Sequence, residues 1–318
     1  MFLLRVLILC LVPLSLFAEL PLEYKNIIKQ HKAPPNSFTF VIKNLSNVSE
    51  KLVAHNEKKL FNPASLVKII STFVALEELG PQFKWQSDFA HNGTIIGDTL
   101  NGDLIFKGRG DATFSINNLE DSIRKIQRNG LKKINGNLIL DLSYFGFAPK
   151  EKSFDNDPMR AYNVLPSPVV IQSNTMNFVF AMKNKKLTIE SNPNLEQFSI
   201  KNNIKITNDR CIDWKSKLNY QTQQIKLKSE VIFDGKFSRK CGTKTINLSA
   251  LNNNEYFFRI FKKIWNMNGG NFNGSLDTTY INNNNLKVIY RHTSRPLSEI
   301  VRDVNKYSLN LMARNTML

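Results

Sequence analysis

The stretch Asn62-Pro63-Ala64-Ser65-Leu66-Val67-Lys68 decides how this chain is read. It leads into an apolar run over residues 69–79 that stops at Gly80-Pro81. Asn62 suits an N-cap, and Pro63 suits a first helical position, where its missing N–H costs no hydrogen bond. Gly-Pro is a helix stop. Leu66, Ile69, Ile70, Phe73 and Leu76 recur at helical spacing, which predicts a buried helix. Its first turn carries Ser65-x-x-Lys68. Residues three apart share a helical face, so an amine is laid beside a hydroxyl. Serine is a weak nucleophile at neutral pH and needs a base nearby. A lysine drawn partly out of water gives up its proton more readily. A helix amino terminus also favours developing negative charge. The competing reading is a solvated lysine on an N-terminal turn, and the apolar helix that follows weighs against it.

A second element, Ser308-Leu309-Asn310, follows a predicted helix over residues 296–307. A serine with an asparagine two residues on can offer a hydroxyl and an amide to one cleft. The hydroxyl would relay a proton to a leaving amine, and the amide would hold a substrate backbone. Alone, this tripeptide says little.

Working outward, the amino terminus carries Arg5, an apolar run over residues 6–17 and then Ala18. This is a signal-peptide pattern over residues 1–18, too short for a comfortable membrane span. It predicts export. Two cysteines follow it, Cys211 and Cys241, and an oxidising compartment favours joining them in one disulfide. The 318 residues are 42% hydrophobic and 10% aromatic, ample for a packed core, and the length suits two or three domains. The net charge of +17 would suit an anionic partner. Its lysines are dispersed and often stand beside asparagines, with no arginine–aromatic platform. Nucleic acid is therefore excluded as a partner, while peripheral contact with a membrane surface or an anionic wall polymer fits. A basic surface with no specific partner fits equally well.

The remaining elements are coarse. Helix is predicted for Leu22–Gln30, strands for residues 37–45 and 50–55, and short strands with one helix, residues 118–129, between 85 and 142. Residues 141–168 read as loop. Strands are predicted for residues 178–182, 187–190, 204–207 and 224–233, a helix for residues 254–267 and a polar linker for residues 282–285.

With these stretches in place the chain resembles the class C low-molecular-mass penicillin-binding proteins, the D-alanyl-D-alanine carboxypeptidase/endopeptidase family. Besides Ser65-x-x-Lys68 and Ser308-x-Asn310, the resemblance is carried by Gly102-Asp103-Leu104-Ile105-Phe106-Lys107-Gly108-Arg109-Gly110-Asp111-Ala112-Thr113, Asn135-Gly136-Asn137-Leu138-Ile139-Leu140-Asp141, Cys211-Ile212-Asp213-Trp214 and Cys241-Gly242. It runs collinearly from about residue 22 to the last residue. It implies an α/β (α+β) transpeptidase/β-lactamase-like domain, incomplete here, over 19–83 and 287–318. Two nested β-rich insertion domains are implied: an outer one over 84–165 and 246–286, and an inner one over 166–245. The implied function is a serine-type D-Ala-D-Ala carboxypeptidase/endopeptidase of the periplasm, acting on peptidoglycan stem peptides and acylated by β-lactams. In it Ser65 is the nucleophile, Lys68 its base, and Ser308 and Asn310 a second wall. The resemblance implies no cofactor and no metal. Asp157 matches an acidic residue that reads the substrate's diamino acid.

One element of that family is missing. The chain ends at Leu318 with no Lys-Thr-Gly after Ser308. Lys244-Thr245-Ile246 precedes Ser308, lacks the glycine, and reads as a turn after Cys241. The expectation is therefore a truncated or split product, and the alternative function is a non-catalytic peptidoglycan-binding remnant. Loss of the missing strands would leave the Ser65 helix short of a packing partner. A compact β-lactamase does not suit the roughly 240 residues between the motifs.

Overall fold

A computed structural model describes residues 20–47, 49, 51–146, 155–225, 228–280 and 285–318. The signal-peptide reading of residues 1–18 lies outside these, as does most of the polar linker. The chain forms two compact units that divide after Ser65, inside the segment 19–83 expected to belong to one domain.

The amino-terminal unit is small. Helix α1 (Leu22–Gln30) buries none of its residues. An antiparallel pair, Phe40–Lys43 with Lys51–His55, follows it. Tyr24 meets Phe40 at a ring distance of 5.3 Å, and Phe38 stacks on His55 at 4.8 Å. The unit ends in the turn Ala64–Leu66, a single turn of 3-10 helix. Asn62 does not cap an α-helix there. Its Oδ1 accepts the Ala64 N–H at 2.9 Å, a local asparagine turn that competes with helix, and Ala64 takes φ +45°.

In the second unit, helix α2 (Val67–Leu79) begins after that turn. Only Lys68, Thr72 and Ala75, one stripe at helical spacing, are buried. Leu66, Ile69, Ile70 and Phe73 are 58–68% exposed. The expected buried helix is thus corrected to a helix held along one polar-edged stripe with its apolar face in solvent. Apolar periodicity marks which side of a helix is oily, and the partner available decides whether that side is covered.

The bulk of this unit is strands and two helices. A five-stranded mixed sheet runs in the order Leu276–Thr279, Leu138–Asp141, Leu104–Lys107, Gln86–His91, Lys287–Thr293. Helices α3 (Ile116–Arg128) and α4 (Asn253–Met267) pack together. They share one core with this sheet, with Phe89, Phe106, Phe114, Phe257 and Phe261 fully buried. Ser115 and Asn118 close a reciprocal cap at the start of α3, which explains a start two residues earlier than the sequence suggested. A smaller sheet joins Asn271–Phe272, Lys133–Ile134, Thr99–Asn101 and Thr94–Ile96.

Residues 176–248 supply two further sheets. The strand expected over 224–233 is two strands, Leu218–Ile225 and Lys228–Ser238, paired antiparallel from Ile225 opposite Lys228. Both strands are strand-like in composition, and no breaker residue separates them in the sequence. Lys244-Thr245-Ile246, expected as a turn, is strand Lys244–Leu248. Ile246 pairs opposite Phe178, and both are buried, so burial overrides the polar look of the segment. Phe178, Phe180, Phe233 and Phe237 form the core here with Trp214. Cys211 and Cys241 form a disulfide.

Candidate active site

Helix α2 faces α5 (Leu297–Tyr307) and α6 (Asn310–Thr316). Ala75, Leu297, Ile300, Val304 and Ala313 bury together with Trp85. A polar tie sits beside them: Asn305 Nδ2 donates to Thr72 Oγ1 at 3.1 Å, and Thr72 Oγ1 donates to the Lys68 carbonyl at 2.7 Å. These contacts fix the rotation of α2 and turn Lys68 toward the α5–α6 junction.

That junction is sharp. Ser308 ends α5 in the left-handed region, with φ 56° and ψ 45°, and the Leu309 N–H returns to the Val304 carbonyl at 3.2 Å. Leu309 is extended, and Asn310 begins α6. The reversal brings the side chains on either side of Leu309 to one amine. Lys68 Nζ donates to Ser308 Oγ at 2.9 Å, to the Ser308 carbonyl at 3.0 Å and to Asn310 Oδ1 at 2.5 Å. Asn310 Nδ2 donates to the Tyr162 carbonyl at 3.0 Å. The amide is therefore held with its oxygen on the amine and one N–H committed to the loop Ala161–Asn163.

Lys68 is only 7% exposed. Burial lowers its pKa below the ordinary lysine value, and the positive charge of Arg314 lowers it further. A buried amine that sheds its proton readily is what a general base requires. Ser65, three residues upstream in sequence, ends the other unit in the turn Ala64–Leu66.

Residues that sequence reasoning missed hold α6 in place. Asn315, 3% exposed, donates through Nδ2 to the carbonyls of Gly110 and Ser167, both at 3.0 Å. Leu311 buries against Ala112, Val164 and Val170. The segment Gly108-Arg109-Gly110-Asp111 thus buttresses the helix that carries Asn310. Its glycines are required. A Cβ on Gly108 would stand 2.2 Å from the Pro168 carbonyl oxygen, and Gly110 has φ +89°. Asp111, 3% exposed, accepts from the Thr113 N–H at 2.8 Å and hydroxyl at 2.6 Å and stands 3.8 Å from His292 Nε2. Burial pushes its carboxyl above the usual range and holds His292 below the ordinary imidazole value. A lone asparagine such as Asn315 leaves no pattern in a sequence, so only its contacts reveal it.

Asp157 lies on the same loop as Tyr162. Its Oδ2 accepts from Arg160 Nε at 2.7 Å and from the Tyr220 hydroxyl at 2.6 Å. Burial and that bond to Asp157 push the Tyr220 phenol well above its ordinary value. Among the described residues no three His, Cys, Asp or Glu side chains gather as a metal site, and no helix is long and apolar enough to cross a membrane.

The chain's likeness to known proteins extends over nearly its whole length. The profile of the D-Ala-D-Ala carboxypeptidase 3 (S13) family matches residues 23–318. D-alanyl-D-alanine carboxypeptidase DacB of Haemophilus influenzae is 29% identical over 136 residues, covering 42% of this chain and 28% of that protein. Penicillin-sensitive carboxypeptidase A of Dictyostelium discoideum is 30% identical over 143 residues, covering 41% of this chain and 27% of its own. The crystal structure of penicillin binding protein 4 (dacB) from Haemophilus influenzae shares the fold, with a TM-score of 0.74 at 23% identity, over 92% of this chain and 64% of that one. A structure of the same protein complexed with a β-lactam gives a TM-score of 0.70 at 21% identity, over 90% of this chain and 62% of that one. The chain spans less than two thirds of these relatives.

Proposed function

Because the chain belongs to the D-Ala-D-Ala carboxypeptidase 3 (S13) family, we propose that it is the nucleophile-bearing part of a serine-type D-alanyl-D-alanine carboxypeptidase/endopeptidase of the periplasm. The observation that carries this reading is the convergence of Ser308 and Asn310 on the buried amine of Lys68. In it, Ser65 Oγ attacks the carbonyl carbon before the terminal D-alanine and passes its proton to Lys68. The C–N bond breaks, and D-alanine leaves with a proton relayed through Ser308. Water then cleaves the ester on Ser65 and restores the hydroxyl. A β-lactam enters the same path when its ring amide is attacked, and it remains attached.

Asn310 acts here as an orienter of Lys68, because its amide oxygen is on the amine and its nitrogen is on Tyr162. Asp157 meets the substrate's side-chain ammonium while also held by Arg160 and Tyr220. The Cys211–Cys241 disulfide supports an oxidising compartment.

Labelling the full chain with a fluorescent penicillin tests the assignment. The intact protein is expected to carry the label and Ser65→Ala to lose it. Label retained by Ser65→Ala removes Ser65 as nucleophile. A folded, unlabelled wild type that sediments with purified cell-wall sacculi favours the non-catalytic binding reading.

A further inference from the structure

The positive charge is dispersed along the sequence, but it is not even over the fold. Residues 176–248 hold fourteen Lys and Arg against six Asp and Glu, so nearly half of the net charge of +17 falls on under a quarter of the 318 residues. In the larger sheet formed there, strand Lys228–Ser238 runs between Leu218–Ile225 on one side and Lys205–Thr207 on the other. Its residues alternate between the two faces. Val231, Phe233 and Phe237 turn inward and are buried. Glu230, Asp234 and Lys236 share the outer face.

One row of that outer face is wholly cationic. Lys205 pairs opposite Lys236. On the other flank Leu218 pairs opposite Gly235, and a Cβ on Gly235 would stand 2.1 Å from the Lys217 carbonyl oxygen. Lys217 therefore takes the next position, beside Lys236. All three lysines are exposed. Neighbouring strands lie about 4.8 Å apart, so the three backbones span only about 10 Å. Like charges directly opposite one another destabilise a sheet. The acids of the same face do not relieve the row. Asp234 accepts from Asn203 Nδ2 at 3.0 Å, and Glu230 accepts from Ser199 Oγ at 3.0 Å and Gln223 Nε2 at 2.7 Å. Among the described residues, Lys205, Lys217 and Lys236 make no ion pair and no side-chain hydrogen bond.

A bound anion would supply what the row lacks. It has to carry several charges, because a single one would leave two ammonium groups facing each other. It has to be linear, because Asp234 and then Glu230 lie beside the row, and a broad anionic surface would meet them too. An ammonium is a compact, hydrated point charge, and no planar guanidinium fork stands in the row. The row therefore reads density of charge rather than the plane of a carboxylate. We propose that Lys205, Lys236 and Lys217 form a docking surface for a linear phosphate-bearing polymer, laid across the strands with its phosphates on successive lysines.

This surface does not rest on the acylation reading, and its test uses binding alone. The full chain is titrated with short-chain inorganic polyphosphate in a calorimeter. Parallel titrations use poly-L-glutamate and phosphatidylcholine vesicles containing phosphatidylglycerol. Polyphosphate is expected to bind, and to weaken by about tenfold or more between about 50 and 200 mM salt, as counterion release from about three contacts requires. Lys205→Gln with Lys217→Gln and Lys236→Gln should weaken it about tenfold or more. These positions are exposed, and the change removes like-charge repulsion, so this variant should be at least as stable in urea as the wild type. A control, Lys183→Gln with Lys185→Gln and Lys186→Gln, removes the same formal charge from the turn between Met176–Lys183 and Lys186–Asn192. It should bind within about threefold of wild type. Ser65→Ala should bind as the wild type does. The proposal is overturned by no binding of polyphosphate, or by an equal loss in the control, which would make net charge the cause. It is also overturned by polyglutamate binding as tightly as polyphosphate, or by vesicles binding when polyphosphate does not, which would make the face a membrane contact.

Discussion

Lys68 Nζ donates to Asn310 Oδ1 at 2.5 Å across 242 positions of sequence. The same amine meets Ser308, so one buried cation gathers both ends of the α5–α6 turn. Acceptors around the amine favour its charged form, but burial, and after it the positive charge of Arg314, hold its pKa below the ordinary lysine value.

That balance has a pH signature. In the proposed mechanism, acylation by penicillin needs Lys68 without its proton. The rate should therefore climb with pH through the depressed lysine pKa and level off above it. Arg314→Gln removes a charge that lowers this pKa, so the pKa rises and the climb moves to higher pH. Lys68→Ala should slow acylation by about 10²–10⁴-fold at any pH. Stopped-flow labelling rates across neutral and alkaline pH decide this. An unmoved limb in Arg314→Gln would discard the electrostatic role given to Arg314.

Asp111 gives an equilibrium prediction. Its folded pKa lies above the unfolded value because burial penalises the carboxylate. Between the two values the folded state holds more protons, so stability falls as pH rises through that window. Above it the full penalty stands. Asp111→Asn keeps an oxygen for Thr113 and removes the charge. It should raise the urea midpoint at neutral pH, with the gain shrinking as pH drops below the usual carboxylate range. A variant less stable than wild type at neutral pH would contradict this account.

The disulfide closes a sequence separation of 30 residues. Closing such a loop removes unfolded-state freedom worth about 3 kcal/mol. Cys211→Ser with Cys241→Ser should lose roughly that in urea denaturation. A loss well under about 1 kcal/mol would show that the bond constrains little.

The exposed face of α2 predicts self-association. Ile70 is 65% and Phe73 60% exposed, and neighbouring apolar side chains in water favour clustering. Ile70→Lys with Phe73→Glu should reduce aggregate measured by light scattering after size exclusion. The unfolding midpoint should stay within about 0.5 kcal/mol, because neither residue is buried. An unchanged aggregate fraction would place the sticky surface elsewhere.

The residues that meet at Lys68 were legible as motifs because the signals are local. Ser65 and Lys68 are three apart before an apolar helix, and Ser308 and Asn310 are two apart after another. Such spacings act within a turn or two, and a sequence records them directly. Helices α1, α3 and α4 were equally plain, since periodicity and caps are local as well. The division at Ile225 was not, because no breaker residue stands between the two strands, and the strand at Lys244 was not, because its partner strand, Met176–Lys183, stands elsewhere in the chain. Asn315 was invisible for the same reason, as its two carbonyl acceptors lie about 150 and 200 residues away.

By itself, then, the sequence determined the order of the motifs and the chemistry their residue types allow. Tertiary structure alone decided that Lys68 is buried against Ser308 and Asn310 while the apolar residues around it on α2 are not. Burial depends on which surfaces meet. Hydrophobic spacing says that a face would gain by being covered, and only packing says whether anything covers it. That is why Ser65-x-x-Lys68, read first as the opening of a buried helix, stands in the folded chain as a buried lysine on an exposed one.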